Sequence, residues 1–167
     1  MKGMIALALA VLLGGATAAL AASNASQRFI KEAIEGNLAE VQMGQLAEQK
    51  GQSEAVKSYG QMLVTDHSAA NQKALQLASQ IGVTPPSEPT AKQKAMYDKL
   101  AKLSGPEFDH AFTREMVADH QNDIREFKRE AAKKGDPTAD FAAQNLPTLQ
   151  KHLDAAKKLT KSNRAER

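Results

Sequence analysis

The chain of 167 residues lacks cysteine and tryptophan, and aromatic residues make up only 4% of it. Without cysteine, no disulfide can stabilise the fold, and the lipid anchor of a lipoprotein is excluded. The basic clusters, Lys157-Lys158 and the tail 161–167, are not interleaved with aromatic side chains, so nucleic-acid binding has no support. Neither a glycine-rich phosphate loop nor a nucleophile elbow occurs, so phosphate-loop and serine-hydrolase chemistry are unsupported as well.

Long apolar runs are also missing, apart from a short one at the N-terminus. Lys2 precedes the apolar run 5–13, and Ala19-Leu20-Ala21 offers a cleavage site. This order is typical of a secretory signal peptide, and the run is too short for a comfortable membrane span, although a retained anchor is the alternative. We expect residues 1–22 to be a signal peptide and residues 23–167 to form one domain without a transmembrane span, in the periplasm, the cell envelope or the medium.

The residues that dominate the chain are alanine, leucine, glutamine, glutamate and lysine, which favour helix. Serine, glycine and proline signals divide the chain into helices at 26–50, 53–81, 90–103, 104–134 and 136–161, the last bent near Pro147. The short helix lies in a long connection between two tight hairpins. This pattern predicts an all-α fold, a ferritin-like four-helix bundle in which two helical hairpins are joined by a long crossover.

One ligand-type side chain interrupts the apolar stripe of each long helix, namely Glu40, His67, His120 and His152. At ~1.5 Å per residue, Glu40 and His67 lie ~18 and ~22 Å from the first tight turn, and His120 and His152 both lie ~24 Å from the second. We therefore predict that the four side chains meet at one level of the bundle. The depths do not decide whether the second and third long helices are parallel.

Three histidines and one glutamate suit a single divalent ion such as zinc, copper, iron or manganese. Buried charge needs a partner, and a metal is the simplest one, but a metal-free core network is the alternative. Asp66 and Asp119 could orient neighbouring imidazoles or could be ordinary solvated acids. Met43 and Met116 are expected to pack in the core, and the alternative is that their thioether sulfurs ligate copper.

Six segments in order resemble the bacterial "domain of unknown function 4142" family: 29–33, 36–40, 56–67, 108–112, 116–120 and 146–152. The resemblance implies a ferritin-like four-helix bundle in exported bacterial proteins that are often labelled outer-membrane proteins, and it implies no established activity. The matching glutamate and histidine positions are again Glu40, His67, His120 and His152.

The wider ferritin-like group holds two irons with Glu-x-x-His motifs. Here the residues three positions before the histidines are Val64, Val117 and Leu149, so neither a di-iron oxidase nor an iron store is expected. We expect instead an exported bundle with a mononuclear metal site that acts in metal handling or stress protection, with a metal-dependent oxidoreductase as its enzymatic variant. The alternative is a structural or partner-binding envelope module with a metal-free network.

Overall fold

The computed structural model describes residues 22–165, so all but the last residue of the predicted signal peptide lies outside the described residues. Five helices and no strand form this part of the chain: α1 (Asn24–Lys50), α2 (Glu54–Gln80), α3 (Ala91–Ala101), α4 (Gly105–Ala131) and α5 (Ala139–Ala165). None of these helices combines the length and the hydropathy that a membrane-spanning segment needs. The predicted four-helix bundle with a short extra helix is confirmed.

Hydroxyl side chains cap the N-termini of three of the helices. Ser53 accepts a hydrogen bond from the backbone N–H of Val56, as the sequence predicts. Thr90 and Gln93 form a reciprocal capping box at the start of α3. The first helix begins earlier than predicted, because Ser23 rather than Ser26 supplies the N-cap hydroxyl.

The connection between α4 and α5 is longer than the sequence predicts. α4 ends at Ala131 and not near residue 134, and α5 begins at Ala139 and not at Asp136. The reason is that the Asp136 carboxylate accepts hydrogen bonds from the backbone N–H and the hydroxyl of Thr138, which fold the segment into a turn before the helix starts. The predicted bend at Pro147 stays a prediction, and α5 continues past that residue.

Two long-range contacts fix the direction of the helices. The carboxylate of Asp109, near the start of α4, accepts hydrogen bonds from the backbone N–H groups of Gln52 and Ser53, at the start of α2. At the other end of the bundle, Ser26 of α1 donates to Asp136 in the α4–α5 connection. α2 and α4 therefore run in the same direction, and the long crossover that carries α3 returns the chain along the length of the bundle.

α1 and α2 approach each other closely at two glycines, Gly44 and Gly60. A Cβ atom on Gly60 would lie 2.5 Å from the carbonyl oxygen of Gly44, and a Cβ on Gly44 would lie 2.6 Å from that of Gly60. Any larger residue would force the helices apart. This contact lies one turn from Glu40 and two turns from His67, so it fixes the hairpin beside the polar residues described next.

The bundle has an apolar cluster at each end and a polar layer between them. One cluster surrounds the α1–α2 connection and includes Leu46, Val56, Leu63, Phe108 and Phe112. The other lies at the α4–α5 connection and includes Phe29, Ile30, Ile34, Ala78 and Phe141. On each long helix the residues between the clusters include buried polar side chains: Asn37 and Glu40 on α1, His67 on α2, His120 on α4 and His152 on α5.

Candidate metal centre

Three histidines from three different helices meet in the polar layer. His67 of α2, His120 of α4 and His152 of α5 are all buried. One ring nitrogen from each of the three lies within 4.8 Å of those from the other two. The ring centroids are separated by 5.2 to 5.8 Å. The sequence prediction that these residues meet at one level is therefore confirmed for the histidines.

Each histidine has one ring nitrogen that points away from the other two rings, here called the outer nitrogen, and one called the inner nitrogen. The outer N–H group of each ring donates to an oxygen acceptor. Nδ1 of His120 lies 3.0 Å from the backbone oxygen of Met116, one turn earlier on α4. Nε2 of His152 lies 2.9 Å from Oδ2 of Asp66. Because a carbonyl and an ionised carboxylate can only accept, the outer nitrogen must carry the proton in both rings.

The third ring follows the same pattern through α1. Nδ1 of His67 lies 2.9 Å from Oδ1 of Asn37, and the contact is buried. The amide oxygen accepts, so the proton of a neutral His67 is on Nδ1. All three rings are thereby held in the tautomer that leaves the inner nitrogen without a proton, which is how ligating histidines are usually oriented.

The inner nitrogens lack satisfactory hydrogen-bond partners among residues 22–165. Nε2 of His120 and Nδ1 of His152 lie 3.2 Å apart, yet with their outer nitrogens protonated both present a lone pair to the other. Nε2 of His67 is buried and has no hydrogen-bond partner. A buried polar atom without a partner costs about 1–3 kcal/mol, so this arrangement calls for either a shared proton or a cation.

Burial keeps the three imidazoles neutral. It lowers the pKa of His67 well below its usual value of 6.5, with the neighbouring histidines adding to the effect. Burial, reinforced by His152, lowers the pKa of His120 to about 4. The pKa of His152 is also lowered by burial, although the Asp66 carboxylate opposes the shift. The lone pairs are thus available at neutral pH, as metal ligation requires.

Glu40, the fourth residue predicted from the sequence, lies outside the group of three histidines. It is buried, and its Oε1 lies 4.0 Å from Nδ1 of His120, the nitrogen that faces away from the other rings. Burial raises the pKa of its carboxyl well above 4.5, and the carboxyl group of Asp119 adds to that rise. Asp119 is therefore a neighbour of Glu40, whereas Asp66 is the acid that orients a histidine.

The sequence prediction did not include Asn37, which orients His67. The signal was available, because Asn37 precedes Glu40 by one helical turn and so shares the buried face of α1. Met43 and Met116 are buried in the apolar cluster at the α1–α2 end. The backbone oxygen of Met116 also accepts the hydrogen bond of His120.

The fold and the site define an all-α four-helix bundle with three buried, converging histidines. The family model described as "Domain of unknown function (DUF4142)" matches residues 13–159, and the chain belongs to this family. A search of curated proteins gives no match. A crystal structure of a DUF305 fragment from Deinococcus radiodurans is similar, with a TM-score of 0.74 and 13% identity over 84% of this chain and 98% of that chain. At this identity the likeness shows the fold alone.

Proposed function

We propose that this protein is an exported metal-binding bundle in which His67, His120 and His152 together bind one divalent transition-metal ion. The orientation of the three rings is the observation that carries the proposal. Each outer N–H donates to an oxygen. Of the remaining nitrogens, Nε2 of His120 and Nδ1 of His152 lie 3.2 Å apart, and Nε2 of His67 is buried without a partner. A metal ion would give all three inner nitrogens a partner at once, whereas one shared proton would serve only two of them.

The donor set narrows the choice of ion. Three neutral imidazoles suit zinc, copper or iron better than manganese, which prefers oxygen ligands. Three protein ligands leave at least one position for water or a small ligand, as in catalytic rather than structural zinc sites. An oxidoreductase would need a redox-active ion at that position. In the cell envelope, where the predicted signal peptide would deliver the protein, such a site would serve metal handling or stress protection.

Metal stoichiometry tests the proposal directly. The purified protein should bind one zinc ion or one copper ion, and saturation at about 100 times Kd should stabilise the fold by about 2.7 kcal/mol. His67→Ala should lose this binding while its circular dichroism stays helical. His110→Ala is the matched control, because it removes a histidine that is not part of the group of three. Wild-type protein that binds neither zinc nor copper, or that loses binding equally in both variants, would refute the proposal.

The second candidate is a structural or partner-binding envelope module with a metal-free network. The buried hydrogen bond from His67 to Asn37 and the partly buried one from His152 to Asp66 favour it, since they also join neighbouring helices. In that case His67→Ala should lower the free energy of unfolding by the same amount with and without added metal. A wild-type protein whose stability rises with zinc concentration excludes this candidate.

A further inference from the structure

A second polar site lies on the other side of His120 from the three-histidine group. A cavity of about 210 Å³ opens between α1, α3 and α4, and its walls include Glu40, Glu115 and Asp119. α3 forms the outer wall through Gln93 and Met96. Because a water molecule takes up about 30 Å³ in the liquid, the cavity has room for an ion and several waters.

Glu40 is the innermost acid of this cavity. Only 2% of the residue is exposed, and its Oε2 is buried without a hydrogen-bond partner. The carboxyl group of Asp119, one turn of α4 after Glu115, lies against the Glu40 carboxyl. The two carboxyl groups share a hydrogen bond, whereas Oε2 of Glu40 has no partner. A divalent cation in place of the shared proton would meet up to four acceptor oxygens.

Basic side chains in the part of the chain that the structure describes do not fill this role. Among the described residues, no lysine or arginine forms an ion pair with Glu40, Asp119 or Glu115. Lys92 lies at the rim of the cavity, is exposed, and acts on Glu115 rather than on Glu40. Neither acid of the inner pair therefore has a basic partner, and this distinguishes the pair from acids whose charge is compensated by an ion pair.

We propose that Glu40 and Asp119 bind a hydrated divalent cation of the oxygen-preferring class, such as Mn²⁺ or Mg²⁺, with Glu115 as a further ligand at the mouth of the cavity. Such ions bind through one or two carboxylates and keep several waters, which fits two inner acids in a cavity of this size. The site differs from the histidine centre in its donor atoms and lies beside Nδ1 of His120, whereas Nε2 of the same ring lies next to His152. It does not depend on metal binding by the three histidines.

Manganese is the probe, because the binding of Mn²⁺ can be followed by electron paramagnetic resonance. The protein first receives one equivalent of Zn²⁺, which imidazole ligands take up in preference to carboxylates, and is then titrated with Mn²⁺. The wild type should bind one Mn²⁺. Glu40→Gln and Asp119→Asn should each weaken Mn²⁺ binding by about tenfold or more, since even the loss of a hydrogen-bond partner of a ligand costs that much.

The matched control is Glu48→Gln, which removes an exposed glutamate two turns further along α1 and should leave Mn²⁺ binding unchanged. His67→Ala should lose Zn²⁺ but keep Mn²⁺, so that failure of the histidine centre and failure of this site give different results. Absence of Mn²⁺ binding by the wild type would overturn the proposal. So would Mn²⁺ binding that Glu40→Gln and Asp119→Asn leave intact. Should Glu40→Gln fail to fold, Asp119→Asn decides the question alone.

Discussion

Replacing Asp66 with alanine should weaken metal binding by the three histidines without removing any of them. The Oδ2 atom of Asp66 lies 2.9 Å from Nε2 of His152 and holds the ring proton on that nitrogen. Without the carboxylate, the ring can move its proton to Nδ1, the nitrogen that faces His120, and the lone pair needed for ligation is then lost. Loss of such a partner costs about 10- to 100-fold in metal affinity, or about 1.4–2.7 kcal/mol.

The assay is a competition titration of Zn²⁺ between the protein and a chromophoric chelator. Asp154→Ala is the control, because Asp154 is an exposed acid two residues after His152 and contacts only Gln150 among the described hydrogen bonds. The two variants have the same change in net charge, so general electrostatic attraction of the cation is matched. A zinc Kd for Asp66→Ala within twofold of the control would refute the reasoning that this hydrogen bond orients His152 for ligation.

Two further predictions concern stability, measured by urea denaturation. Gly60→Ala should destabilise the bundle by about 1–3 kcal/mol, because the new Cβ would lie 2.5 Å from the Gly44 oxygen. Gly36→Ala is the control, because a Cβ at this position has no atom within 4 Å, and it should stabilise α1 by about 0.5–1 kcal/mol. Equal changes in the free energy of unfolding for the two variants would contradict the close contact between α1 and α2. Burial lowers the pKa of His120 from 6.5 to about 4, so the unfolded chain binds more protons than the folded protein between these pH values. The free energy of unfolding should therefore decrease as the pH is lowered from 7 toward 4. In metal-free Glu40→Gln protein, which lacks the opposing raised pKa of Glu40, His120 alone should cost on the order of 2 kcal/mol between pH 7 and pH 5. The lowered pKa values of His67 and His152 add to this loss, and the raised pKa of Asp123 opposes it; unchanged stability would contradict this.

The bundle and the convergence of the histidines could be predicted because both follow from local regularities. Apolar stripes with a helical period define the inward faces, and distance from a tight turn along a rigid helix defines depth. His67, His120 and His152 obey both rules, so counting along the helices was enough to bring them together. The start of α5 was predicted three residues too early, because the Asp136 side chain forms a turn with Thr138 instead of capping a helix directly.

The position of Glu40 could not be predicted by depth alone. A helix of the bundle can direct a side chain toward either neighbouring helix, and the choice depends on how the helices rotate against each other. Here α1 directs Asn37 toward His67, and Glu40 lies against the far side of His120 with Asp119 as its neighbour. The parallel direction of α2 and α4 likewise required the long-range contact between Asp109 and the start of α2.

The most direct test of the histidine centre is a crystal structure of the zinc-loaded protein with anomalous diffraction recorded at the zinc edge. We predict one anomalous peak within about 2.0–2.1 Å of a ring nitrogen from each of the three histidines. Those nitrogens should be Nε2 of His67, Nε2 of His120 and Nδ1 of His152, with the hydrogen bonds to Asn37, Met116 and Asp66 retained. A zinc-soaked crystal with no peak among these rings would contradict the assignment.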